Sequence, residues 1–272
     1  MSRPSNYFTE LAGVPVNYDR LSPPNNYGTK GTPTRFHTIE GFQDTLEAFF
    51  AELWNVCPLG PAEVITSAGA YTAKPGYHGS GRAFDLDCIF WGDKSFITSE
   101  YQTDSKFYLG VESILRKYFG TVLNYNYNAS HRDHFHIDDG SEVGFRRVRS
   151  VLLYTQAVLT EIYGDPVGID GLYGSETAEA LERVLPTINI QTDLSETTNW
   201  LSFLTTTAER AFEQATGTVA EDSKNPLELL MELYGVIERE LADSASRKRI
   251  ETVLNRFADH QETEEWLENY TS

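Results

Sequence analysis

Ala83-Phe84-Asp85-Leu86-Asp87-Cys88-Ile89-Phe90-Trp91 and His134-Phe135-His136-Ile137-Asp138 both alternate apolar and polar side chains with a period of two. That is the pattern of a half-buried β-strand. In the first stretch Phe84, Leu86, Cys88 and Phe90 stand opposite Ala83, Asp85 and Asp87; in the second, Phe135 and Ile137 point into a core while His134, His136 and Asp138 share the other face. If the two strands pair, Asp85 and His136 converge, with His78 arriving from the loop before Ala83. Four of the six histidines lie in Tyr77 to Asp85 and Ser130 to Asp138. Two imidazoles and one carboxylate form the ligand set of a catalytic zinc site, which leaves the fourth position to water.

Working outward, Glu63 to Ala70 reads as a further strand. Gly41 to Trp54 places Phe42, Leu46, Phe49, Phe50 and Leu53 on one helical stripe, and Phe107 to Phe119 does the same with Val111, Ile114, Leu115 and Tyr118. The expected fold class is therefore α+β, a small antiparallel sheet flanked by helices. Residues 1 to 36 are rich in Pro, Asn, Gly and Thr without a sustained period and read as an extended arm. After Gly144-Phe145-Arg146-Arg147-Val148-Arg149 the composition turns helical and acidic, which sets the expected division at residues 1–148 and 149–272. Asn225-Pro226 followed by Leu227, Leu230, Met231, Tyr234, Ile237 and Leu241 reads as a capped helix, and Ile250, Val253, Leu254 and Phe257 mark another.

Residues 1–150 carry 14 basic and 17 acidic side chains, against 8 and 23 in the remainder, so most of the formal charge of −18 sits in the second half. Clustered Lys and Arg, which phosphate binding needs, are missing there, and this disfavours nucleic acid and anionic membrane surfaces as partners. Cys57 and Cys88 are too few for a disulfide framework. Nowhere does an apolar run approach the ~20 residues of a membrane span, so no membrane insertion is expected. Met1 to Phe8 has no apolar signal-peptide core. The corresponding expectation is a protein made in the cytoplasm that acts in the periplasm or cell wall after export, or after delivery by a secretion machine or phage holin.

The spacing His78-x2-Gly81-x-Ala83-x-Asp85, followed by Asp133-His134-x-His136, resembles the LAS metallopeptidases: D-Ala-D-Ala carboxypeptidases, L-alanyl-D-glutamate endopeptidases and hedgehog amino domains. Gly81-Arg82-Ala83-x-Asp85 and His134-Phe135-His136-x-Asp138 are most similar to the extensin-like carboxy-terminal group. The resemblance implies one zinc ion per chain held by His78, Asp85 and His136, with Asp133 as general base. His134 would serve the oxyanion or the substrate carbonyl. From the residues themselves, Arg82 reads as a salt bridge holding the loop or a substrate contact, and Tyr71 and Tyr77 as substrate-contacting cleft aromatics or packing. Asp87 and Asp138 read as solvated or supporting carboxylates, and His37 and His260 as ordinary surface or core histidines. The arginine that grips a substrate carboxylate in the D,D-carboxypeptidases has no counterpart near Tyr71 or Lys74, so endopeptidase and carboxypeptidase action both stay open.

Ile169-Asp170-Gly171-Leu172-Tyr173-Gly174-Ser175-Glu176-Thr177-Ala178-Glu179-Ala180-Leu181 is similar to the core of peptidoglycan-binding-like three-helix domains, with Val151, Leu152, Gln156 and Leu159 on a preceding helix. Asp170-Gly171 makes a turn, and Ser175 is expected to cap the next helix. Together these readings describe a zinc peptidase acting on peptidoglycan stem peptides, a lysin or a secreted antibacterial effector with an immunity or delivery protein as partner. The competing class is a non-catalytic, metal-stabilised module for wall binding or interaction.

Overall fold

The computed structural model describes residues 2–20 and 27–217. Among the described residues ten strands run in chain order as β1 (Tyr7–Phe8), β2 (Glu10–Leu11), β3 (Val14–Tyr18), β4 (Thr32–Pro33), β5 (Phe36–His37), β6 (Val64–Gly69), β7 (Ala83–Phe90), β8 (Ser95–Ile97), β9 (Thr121–Leu123) and β10 (Phe135–Asp138). Interspersed are the helices α1 (Glu40–Val56), α2 (Tyr77–Ser80), α3 (Ser105–Tyr118), α4 (Arg149–Glu161), α5 (Ser175–Val184) and α6 (Thr197–Thr216). The class is α+β. The main sheet has the order β2-β3-β6-β7-β10-β9, with β4 on β3 and β8 on β7. It is mixed rather than wholly antiparallel, because β3 and β6 run parallel. The chain between them holds α1, a connection long enough to return the strand in the same direction.

The first residues are built into the fold rather than forming a surface arm: β1 pairs with β5 in a separate two-stranded sheet, and β2 and β3 belong to the main one. Phe8, Leu11, Val14 and Val16 are all buried in the main core. Their strands are two to five residues long, too short for a periodic signal to develop. The helical stripe of α1 is buried as its spacing implies. In contrast, α3 is buried from Phe107 to Arg116 on every side, packed against α1, α4 and α6. Asp104 caps it by accepting from the Phe107 N–H.

The alternation read in β7 breaks at Asp87. Thr66 pairs with Cys88 and Ser67 with Leu86, so Asp87 is the extra residue of a β-bulge. Phe84, Leu86 and Ile89 therefore face the main core, whereas Cys88 and Phe90 join Val64 in a small second cluster. Both strand faces are covered there, and Asp87 is fully buried instead of solvated. Cys57 and Cys88 are buried free thiols in the two different clusters.

The described residues all fall within one compact unit. The division placed at 148/149 from composition falls inside that unit, whose core runs unbroken from Phe8 to Phe212. Phe212 of α6 stacks edge-on against Phe107 of α3 at 5.0 Å and lies over Gly110. A methyl on Gly110 would meet that ring at 2.9 Å, so glycine sets how closely α3 and α6 approach. The Ile169–Leu181 motif is a loop followed by the first turns of α5. Gln156 fastens it, donating to Asp170 Oδ1 and the Leu172 carbonyl while accepting from the Asp170 and Gly171 N–H groups. Gly174, not Ser175, occupies the capping position. The helices read at 227–241 and 250–257, and His260, lie outside the described residues. Among the described residues no helix is long and apolar enough to cross a membrane.

Candidate metal centre

β7 and β10 pair antiparallel with His136 directly opposite Asp85. Phe84 and Leu86 on one strand, and Phe135 and Ile137 on the other, sink into the core. That burial turns Asp85 and His136 to the opposite face of the sheet. His78 arrives on α2, a single helical turn entered through Gly76 at φ +106° and left through Gly81 at φ +71°. Gly79 in that turn lies so close to the Lys74 carbonyl that a Cβ would overlap it.

Three donor atoms meet. His78 Nε2 is 3.1 Å from Asp85 Oδ1 and 3.1 Å from His136 Nδ1, and His136 Nδ1 is 3.0 Å from Asp85 Oδ1. Tetrahedral ligands at zinc distances are about 3.3 Å apart, so the triangle needs only a slight opening to accept the ion. The outer ring nitrogens fix the tautomers. His78 Nδ1–H donates to the Ala70 carbonyl, and His136 Nε2–H donates to Asp138 Oδ2 at 3.1 Å. Both lone pairs therefore face each other and a carboxylate, a set that requires a proton or a cation among them. Asp138 is itself buried and held by the Gly140 N–H. It is thus a supporting carboxylate, one of the two roles its sequence suggested.

The electrostatics agree with that crowding. Burial alone would raise the Asp85 carboxyl, but its contacts with the His136 and His78 rings hold it well below the usual carboxylate range. Burial alone would lower His136, but Asp138 and Asp85 outweigh it and raise the imidazole to about 9.

Beside the triangle, Asp133 and His134 form a pair. His134 Nδ1–H donates to Asp133 Oδ1 at 2.9 Å, and its Nε2 lies 3.8 Å from Asp85 Oδ1, turned toward the donor set. His131 adds a fourth imidazole, its ring 5.2 Å from that of His134 and 5.8 Å from that of His136. Its Nδ1–H donates to Asn128 Oδ1.

Arg82 forms an ion pair with Asp139 and lies over the Tyr77 ring. Tyr77 is exposed, with its ring close against Gly140. Tyr71 follows the Ala70 carbonyl that orients His78, and its backbone N–H donates to His37. His37 hydrogen-bonds the Pro4 carbonyl, away from the donor set.

Motif reading did not single out Arg20. Its guanidinium forks onto buried Asp87 through Nε and Nη2, at 3.0 and 2.9 Å, and reaches Asp133 Oδ2 through Nη1 at 2.7 Å. Asp87 is pushed up to about 9 by its burial and by neighbouring Asp19, with Arg20 opposing. Arg20 and Asp133 are 113 residues apart. No spacing rule links them; the only signal in the sequence was a lone arginine next to Asp19 at the end of a short Val-Pro-Val run.

Residues 52–149 match the family model described as extensin-like protein C-terminus. This span holds His78, Asp85, Asp133, His134 and His136, and excludes Arg20 and all of α4 beyond its first residue. No curated protein and no solved structure matches the chain.

Proposed function

We propose that this protein is a zinc-dependent peptidase that hydrolyses peptide bonds in bacterial peptidoglycan, as an endopeptidase or a carboxypeptidase of the stem peptides. The observation that carries the proposal is the triangle of His78 Nε2, Asp85 Oδ1 and His136 Nδ1 with the Asp133–His134 pair beside it. These three ligands would hold the ion. Bound in such a set, zinc lowers the pKa of water to about 7 and polarises a carbonyl.

The chain's own residues manage the proton. Asp133 takes the Nδ1–H of His134, which leaves Nε2 as the nitrogen presented to the reacting atoms. Nε2 accepts the proton that water loses as its oxygen attacks the peptide carbonyl, then gives it to the departing amine. One water is thereby split across the C–N bond into a carboxylate and an amine. Sequence resemblance assigns the base to Asp133 and the carbonyl contact to His134; their hydrogen bond supports treating them as one unit. Tyr77 and Tyr71 flank His78 and its Ala70 support, and Arg82 stands in the same loop region as a rim contact for peptide. The family match over residues 52–149 supports a wall-associated substrate.

The test is digestion of purified peptidoglycan by the full-length protein, with chelator and with zinc restored, followed by mass analysis of the fragments. Expected are new amine-ended or shortened stem peptides that vanish with chelator and return with zinc. Intact peptidoglycan under all three conditions would overturn the reading in favour of a metal-stabilised binding module.

A further inference from the structure

We infer that Arg20 is a positioning residue for the reaction proposed above: anchored by Asp87, it holds the Asp133 carboxylate so that Oδ1 meets His134 Nδ1 and keeps Nε2 turned to the donor set. The inference rests on the peptidase reading, and the residue it assigns, Arg20, lies outside the span that matches the family model.

The geometry is that of a rigid bracket. On one side the guanidinium grips Asp87 with two parallel bonds, and Asp87 is the bulged residue of β7, two positions from the ligand Asp85. On the other side Nη1 holds Asp133 Oδ2, and Nη2 also donates to the Asp133 main-chain carbonyl at 3.1 Å. The Tyr27 ring lies under the guanidinium carbon at 4.5 Å and restricts its tilt. Arg20 therefore ties the segment carrying Asp133 and His134 to the strand that carries Asp85. Asp133 needs this. Its side chain is 43% exposed and follows a 3₁₀ turn rather than sitting within a strand, so without Arg20 only His134 would restrain its carboxylate. A planar fork bridges two carboxylates in a fixed plane, and a lysine ammonium does not.

Arg20 also neutralises a buried acidic pair, since Asp19 and Asp87 are both fully buried and Asp19 Oδ1 lies 3.7 Å from Nε. A purely structural role would therefore also make Arg20 matter, and the experiment has to separate the two. Arg20→Lys keeps the charge beside Asp19 and Asp87 but loses the bridge. Its expected behaviour on soluble muropeptides is a roughly 10- to 100-fold fall in kcat with KM little changed and full zinc content. In an Asp133→Asn background the same substitution should add less than about 2-fold, because the group it positions has lost its function. A multiplicative loss in the double variant, or an unchanged kcat in the single one, overturns the inference.

A second readout is independent of turnover. In zinc-loaded protein labelled with ¹⁵N-histidine, His134 should be held as the Nδ1–H form in the wild type and become a mixture in Arg20→Lys; identical spectra overturn the inference even if no peptide is cleaved. A wild type that cleaves nothing while this spectral change occurs would overturn the peptidase reading alone. Should Arg20→Lys fail to fold, Asp87→Asn loosens the same bracket from its anchored end. It should show the same spectral change and a smaller kcat loss, again suppressed by Asp133→Asn; an unchanged spectrum there overturns the inference.

Discussion

Residues 52–149 and the segments on either side of them contribute different things. The central span supplies every proposed zinc ligand and the Asp133–His134 pair, and it is the span that the extensin-like C-terminus model covers. The flanks supply the bracing: Arg20 from the amino-terminal strands, and α4 to α6 packed on α3. Side chains that do chemistry can thus be gathered within one hundred residues, while the parts that keep them in register come from outside.

Removing the carboxy-terminal flank should have the largest effect. In a chain ending at residue 148, the face of α3 bearing Phe107 and Gly110 loses Phe212, and the buried Glu112–Arg116 pair loses its contacts with the Ser150 carbonyl and the Tyr154 ring. Removing only the Phe212 ring costs about 3 to 5 kcal/mol by the usual scale of core truncations. We expect no cooperative thermal transition by circular dichroism for the 1–148 fragment. A fragment that melts cooperatively and binds zinc as the full chain does would make the flank an appendage.

Within the central span, His136→Ala should abolish both zinc retention and hydrolysis, because it removes one corner of the donor triangle. Metal content after dialysis, measured beside turnover, checks both effects. Asp133→Ala should keep its zinc and lose about 10² to 10⁴ in kcat, since proton handling is damaged while the ligand set survives. Wild-type turnover in that variant would mean that Asp133 neither takes the proton nor holds His134 for that task, and would shift proton transfer to another arrangement, with His131 the next imidazole in contact with the pair.

The two regions also differ in how legible they were. The central span could be read because the facing of Asp85 and His136 follows from strand periodicity, and two alternating runs that pair place their polar faces together. The same rule failed at Asp87, where one extra residue reversed which side chains enter the core. It failed in α3 as well: a stripe presumes one wet face, and α6 covers the face left over. Arg20 was illegible for a further reason. Its partners are 67 and 113 residues away, and ion pairing between distant loops and strands leaves no local period.

The smallest effect concerns protons at the donor triangle. In metal-free protein His136 is raised from 6.5 to about 9, with Asp138 and Asp85 outweighing the opposing effect of burial. Its protonated form is thus favoured by folding. The stability this contributes is fully present below about pH 6.5 and is lost as the pH rises through about 9. Zinc must displace the proton on His136. Binding at pH 7 should therefore release about one proton from His136 and none from Asp85, which is already ionised. Apparent zinc affinity should rise about tenfold per pH unit between roughly 6.5 and 9 and then level off. Calorimetric titration in two buffers of different ionisation enthalpy counts the protons directly. A count near zero at pH 7 would mean that His136 is already neutral in the metal-free protein, and that Asp138 orients the ring without charging it.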